Sequence, residues 1–156
     1  MAEIAHAEPA AWTRWVSSIT ALGEPGSAGD DGLRCVETGV LFDVVVVARQ
    51  LAERVVERLT SAGTRIGPVS GYRTSAQFLV PLGVSDCWDE LVDQFGVSAD
   101  VSSRCMGPGC LIRLPAQSPG SSLSAVWLVT PPLDEGGLPI LTDPHDLVLA
   151  MGAETP

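Results

Sequence analysis

Four cysteines and two histidines are the residues with the most chemistry to offer in this 156-residue chain. Cys105 and Cys110 bracket Met106-Gly107-Pro108-Gly109, which sets two thiols across a tight turn, and Cys35 with Cys87 would complete a tetrahedral zinc site. Structural zinc sites usually pair two close-spaced knuckles. Here Cys35 and Cys87 each stand alone beside an expected element, where an isolated cysteine behaves as a small hydrophobe. A redox pair at Cys105 and Cys110 is little better supported. Nucleophilic catalysis needs a thiolate or hydroxyl with a base in reach. His6 sits near the N-terminus, and His145 lies in Asp143-Pro144-His145-Asp146, a sequence that reads as a helix cap with acidic first-turn residues. A Cys–His dyad has no stronger support than that cap. Gly63-Thr64-Arg65-Ile66-Gly67 and Gly107-Pro108-Gly109 match neither a P-loop nor a dinucleotide fingerprint, and the chain contains no lysine for a Walker-type site.

The elements that must position these residues are legible in the hydrophobic pattern. Pro9 opens an expected helix in which Trp12, Trp15, Val16 and Ile19 share a face. The two tryptophans could stack on bases, but on an apolar helix face they more often serve a core or a protein interface. Gly23 to Gly32 is a polar, Gly-rich loop. Val40 to Val47 is a β-branched run of the kind that forms a central strand buried on both faces. Leu51, Val55, Leu59 and Ala62 then recur at helical spacing, with Gly63 placed to stop the helix. Glu53, Arg54, Glu57 and Arg58 form its solvated face.

Short strands are expected over 66–69 and 77–81, turning at Ser70-Gly71. Ser85 is placed to cap a helix with Trp88, Leu91, Val92 and Phe95 on its apolar stripe, closed by Gly96. Strands over 110–114 and 125–130 follow, and a short helix runs from Asp143-Pro144 through Met151. From Val40 the order is strand, helix, strand, strand, helix, strand, which is the split βαβ pattern.

Composition sets the bounds. A 46% hydrophobic content at this length suits one packed domain, despite a net charge of -10. No apolar run approaches the ~20 residues a membrane helix needs. The N-terminus lacks the basic flank and apolar core of a signal peptide, so a cytoplasmic protein with reduced cysteines is expected. All nine fixed positive charges are arginines, scattered along the chain. With a pI near 4.4, they argue against tight nonspecific binding to nucleic acid. An acidic surface fits solubility or a basic protein partner.

Several phrases together resemble a family: the N-terminal domain of bifunctional DNA primase/polymerases, with its archaeo-eukaryotic primase-like fold, of the type carried by actinobacterial proteins. Val36-Glu37-Thr38-Gly39 leads into Phe42-Asp43-Val44-Val45-Val46-Val47, as the family's V-x-T-G phrase leads into a strand of alternating metal-binding acids. Asp43 matches the first of those acids, while the later ones read as valines. Gly71 to Val80 matches the next phrase but has no histidine. Val101 to Pro115, Ser118-Pro119-Gly120 and Trp127 follow the later stretch, with Ser102 or Ser103 at its acidic position. The resemblance runs in order from Leu33 to Leu149.

It implies an α/β (α+β) domain with a mixed sheet, flanking helices and a ferredoxin- or RRM-like core. The organisation expected is an amphipathic helix in 1–22, a flexible loop in 23–32, a single domain in 33–151 and a tail in 152–156. Two-metal phosphoryl transfer needs several convergent carboxylates. The resemblance therefore implies a catalytically inactive relative, with no catalytic residue, metal or cofactor, acting as a binding or regulatory module through protein contacts. Trp12 and Trp15 are the candidates for the partner surface. The alternative is nucleotide or single-stranded nucleic acid binding without catalysis, with Arg73, Arg104 and Arg113 on phosphates and Tyr72 as a stacking group. Oligomeric state is left open.

Overall fold

A computed structural model of the protein describes residues 33–39, 42–97, 103–115, 126–129 and 140–153. The expected N-terminal helix with Trp12 and Trp15 and the loop over 23–32 lie outside them.

The valine run makes strand β2 (Asp43–Ala48), and its alternating side chains face two different interiors. Val45 and Val47 point into one core, while Val44, with the neighbouring Phe42, points into the other. Directly after β2 the helical spacing produces α1 (Arg49–Ser61), which buries Leu51, Ala52, Val55 and Leu59. No side chain caps its start. Instead the Arg49 N–H donates to the Thr74 carbonyl at 3.0 Å. Its end is closed as expected by Gly63, at φ 74, with backbone bonds from Ala62, Gly63 and Thr64 back to the last turn.

Strands β3 (Val69–Gly71) and β4 (Ser75–Val80) form a hairpin. Its turn lies at Tyr72–Thr74 rather than at Ser70-Gly71, because Gly71 is needed within the sheet. A Cβ there would stand 2.9 Å from Leu128 Cγ. A single 3-10 turn (Val84–Asp86) precedes α2 (Trp88–Gln94), so Ser85 belongs to that turn and does not cap the helix. Strand β5 (Ser103–Met106), which the hydrophobic pattern did not mark, closes the unit. The strand expected around 110–114 is β6 (Leu111–Pro115), and it leaves this sheet to pair with β1 (Leu33–Glu37), also unmarked. Strand β7 (Val126–Val129) and helix α3 (Pro144–Ala153) complete the described chain. The helix runs past the expected end at Met151.

Five strands form one sheet in the order β5-β2-β4-β3-β7, and β1 with β6 forms a separate two-stranded ribbon. The expected mixed sheet is corrected. Every described pairing is antiparallel, because each crossover through α1 or α2 leaves a strand of opposite direction between its two ends. The three described helices pack on one face, where α1, α2 and α3 meet Val45, Val47, Val69, Phe78 and Val80 around Trp88, Leu147 and Met151. The other face carries Phe42, Val44, Leu79 and Trp127, and the ribbon covers it with Ile112 and Leu114.

Two turns lock the ribbon to the sheet. The Thr38 hydroxyl, fully buried, bonds the carbonyls of Gly107 and Cys110, the latter at 3.2 Å, and the Thr38 N–H donates to the same Cys110 carbonyl at 2.8 Å. Gly39, at φ 84, lies so close that a Cβ would stand 2.3 Å from Pro108 Cα. Gly39→Ala is therefore expected to cost roughly 3 kcal/mol or more, combining the left-handed backbone with a clash against main chain. Gly63→Ala, where φ is 74 and nothing lies within 4 Å of the added Cβ, should cost about 1 kcal/mol. Denaturant unfolding of both variants measures the difference, and equal losses would show that the Pro108 contact is unimportant.

Candidate functional site

Asp43 begins the central strand with its carboxylate on the helix side of the sheet, and it is 1% exposed. Its Oδ2 accepts the N–H groups of Gly83 (3.0 Å) and Ser85 (2.9 Å), the backbone donors of the tight turn between β4 and α2. Gly83 holds φ 91 there, a conformation that glycine adopts without penalty. Oδ1 is buried without a hydrogen-bond partner. The carboxylate thus works as a cap for the 3-10 turn. Thr38, Gly39, Ser85 and Gly107 gather at the same end of the sheet, Ser85 Oγ lying 2.3 Å from where a Gly107 Cβ would be.

Two thiols lie near this end. Cys105, in register with Val45, faces the helix-side core together with Cys87, which precedes α2. Burial pushes the Cys105 thiol up to about 12, and the charges of Asp43, Cys87 and Asp89 push the same way. Among the described residues no group of three or more His, Cys, Asp or Glu side chains is arranged to hold a metal ion. Cys35 adds nothing here, since its side chain lies outside what is described. His145 stands edge-on to the Phe95 ring at 5.9 Å, and Asp143 Oδ1 accepts the N–H groups of His145 (2.8 Å) and Asp146 (3.3 Å). The helix-cap expectation for Asp143 is what the geometry displays.

The opposite end of β2 gathers arginines. Arg49 Nη1 donates to the Tyr72 carbonyl at 2.8 Å and Nε to Glu53 Oε2 at 2.9 Å, which pins the β3–β4 turn to the first turn of α1. Arg73 is exposed in that turn, and Arg104 is exposed on β5 beside Val46. Arg104 shares the ribbon-side face with Val46 and Gln77, whereas Asp43 faces the helices. Arg113 is also exposed, on β6 between the inward-facing Ile112 and Leu114, so alternation turns it away from the sheet. The structure therefore does not bring Asp43, Arg104 and Arg113 into a common cleft.

Tyr72 is the residue that joins these parts. Its hydroxyl bonds the Arg113 carbonyl of the ribbon and also Gln77 Oε1 at 3.1 Å, an oxygen that Ser70 Oγ reaches at 3.2 Å. Burial pushes the Tyr72 phenol up to about 12, although the Ser70 hydroxyl favours the charged form. The side chain is thus held at its hydroxyl end. Arg49 escaped the sequence reading. Its one signal there is Glu53 four residues later, at the spacing of a helical ion pair.

Comparison with family models, curated proteins and solved structures finds no match. Among the described residues no helix is long and apolar enough to cross a membrane.

Both raised groups make stability fall in alkali. Tyr72 keeps its proton in the native state up to about pH 12, while an unfolded tyrosine loses it near pH 10, so the unfolded state binds fewer protons over that window. The contribution is complete below pH 10 and is lost between about pH 10 and 12. After allowance for partial exposure it is on the order of 1–2 kcal/mol. Tyr72→Phe should flatten that part of the stability–pH curve while lowering stability at pH 7 by roughly 1 kcal/mol. An unchanged alkaline slope in denaturant titrations would refute the burial of this phenol.

Proposed function

We propose that this chain is a catalytically inactive primase/polymerase-like domain that acts as a binding or regulatory module through protein contacts. The observation that carries the reading is Asp43. The one acid that aligns with the resembled metal site is turned into the interior and occupied with two backbone N–H groups. The positions after it are Val44 to Val47, and valine offers a cation no ligand. Supporting the fold part, the order β5-β2-β4-β3 with α1 and α2 on one face is the arrangement expected of a split βαβ unit. For contact with a protein, Leu111 (62% exposed), Leu149 (55%) and Leu82 (52%) present aliphatic surface on three different parts of the fold.

The test has two arms. Primer synthesis with deoxynucleotides and either magnesium or manganese should stay at background, and Asp43→Ala should lower stability by roughly 3 kcal/mol with no activity to lose. Metal-dependent product that Asp43→Asn abolishes would overturn the inactive reading. Affinity capture from the source lysate should recover a protein whose retention falls on Leu111→Glu or Leu149→Glu; recovery of none counts against protein contact as the mode of action.

A second reading, nucleotide or single-stranded nucleic acid binding without chemistry, is favoured by one specific feature. Arg73 and Arg104 are exposed and have no ion-pair partner among the described residues. Anisotropy of a labelled oligonucleotide at low salt should then show binding that weakens steeply with added salt and drops on Arg73→Ala and Arg104→Ala. No binding at low salt eliminates this reading.

A further inference from the structure

The segment leading into α2 runs alongside β5 in the opposite direction, and two contacts fix its alignment. At one end Ser85 meets Gly107, with Ser85 Oγ 2.3 Å from the site of an added Cβ. At the other, Trp88 Nε1 donates to Ser103 Oγ at 3.2 Å. Between Ser85 and Trp88 lies Cys87, and between Gly107 and Ser103 lies Cys105. Strand alternation puts Ser103 and Cys105 on the same side, toward the helices. Cys87 and Cys105 both pack against the helix-side core, from two different elements.

We propose that Cys87 and Cys105 form a redox-sensitive pair that closes to a disulfide when the protein meets a hydroperoxide. The bond would fasten the turn that Asp43 holds, and α2 with it, to edge strand β5. Both cysteines are half-buried, within reach of a small oxidant. The steps balance with hydrogen peroxide as the oxidant. Peroxide transfers one oxygen to the Cys87 sulfur, giving a sulfenic acid and one water. The Cys105 sulfur then displaces that hydroxyl, forming the S–S bond, and its proton leaves with the hydroxyl as a second water. Overall two thiols lose two electrons and two protons, and one peroxide is reduced to two waters.

Oxidation of Cys105 first, with Cys87 displacing the hydroxyl, gives the same disulfide and the same overall balance. Cys110 is the competing partner, being separated from Cys105 by one turn in the sequence. It lies, however, beyond that turn at the start of β6, on the chain that leaves the five-stranded sheet. This inference is independent of whether the domain binds protein or nucleic acid.

Trypsin makes the test direct, because Arg73, Arg104 and Arg113 isolate the sulfurs. Cys87 falls in the peptide Thr74–Arg104, and Cys105 with Cys110 in the peptide Cys105–Arg113. After peroxide treatment of the folded protein, a non-reducing digest should yield the two peptides joined and 2 Da lighter than their sum. The joined species should persist in Cys110→Ser and vanish in Cys87→Ser. The oxidised protein should also melt higher than the reduced one, by roughly 5–10 °C. A loop closed within Cys105–Arg113, a link that Cys110→Ser removes, or no link at all would each overturn the proposal. Since Cys110→Ser leaves the core untouched, its result decides the matter even if Cys87→Ser folds poorly.

Discussion

The structure turns on a carboxylate placed where apolar side chains would otherwise meet. Burying Asp43 is costly unless its oxygens are bonded. Here the backbone of the β4–α2 turn supplies two donors to one oxygen and none to the other. That single acceptor ties the first residue of the central strand to the connection that delivers α2. It sets how the chain leaves β4, how α2 lies over the sheet and where β5 can return along the open edge of β2. Without it the turn's N–H groups would be left inside the protein with no acceptor, each at a cost of about 1–3 kcal/mol.

Around that point the fold is two cores sharing one sheet. The helix-side core is large, with Trp88, Phe78 and Met151 near its centre. The ribbon-side core is smaller, and chain segments far apart in sequence close it, since β1 pairs with β6 from Leu33↔Pro115 to Glu37↔Leu111. Thr38 and Tyr72 anchor the ribbon by hydrogen bonds to its carbonyls, Thr38 at the Cys110 end and Tyr72 at Arg113. Both are polar side chains bonding main chain, which fixes position without depending on the identity of the ribbon's own side chains.

How much of this was legible in the sequence depends on how local the cause is. The Val44–Val47 run and the spacing of Leu51, Val55 and Leu59 announce β2 and α1, since burial alone determines them. Strand β5 is Ser103-Arg104-Cys105-Met106, without a β-branched residue, and it is held by its pairing with β2 rather than by its own propensity. Strand β1 is invisible for a similar reason, because its partner lies at the far end of the domain. The turn of the β3–β4 hairpin was displaced because Gly71 serves close packing against Leu128, and a glycine in sequence does not say which of its uses applies. Asp43 was visible as a match to a metal-binding position. Its inward orientation and its two bonds were not, since the bonds are made by residues 40 and 42 positions away.

The division into two cores has a practical result for optics. Trp88 belongs to the helix-side core and Trp127 to the ribbon-side core, with the sheet between them. Each interior therefore carries its own indole. Replacing either with phenylalanine would leave a protein whose emission reports chiefly on the other layer, alongside the indoles near the N-terminus. The order in which the layers consolidate during refolding would then be readable as separate fluorescence phases.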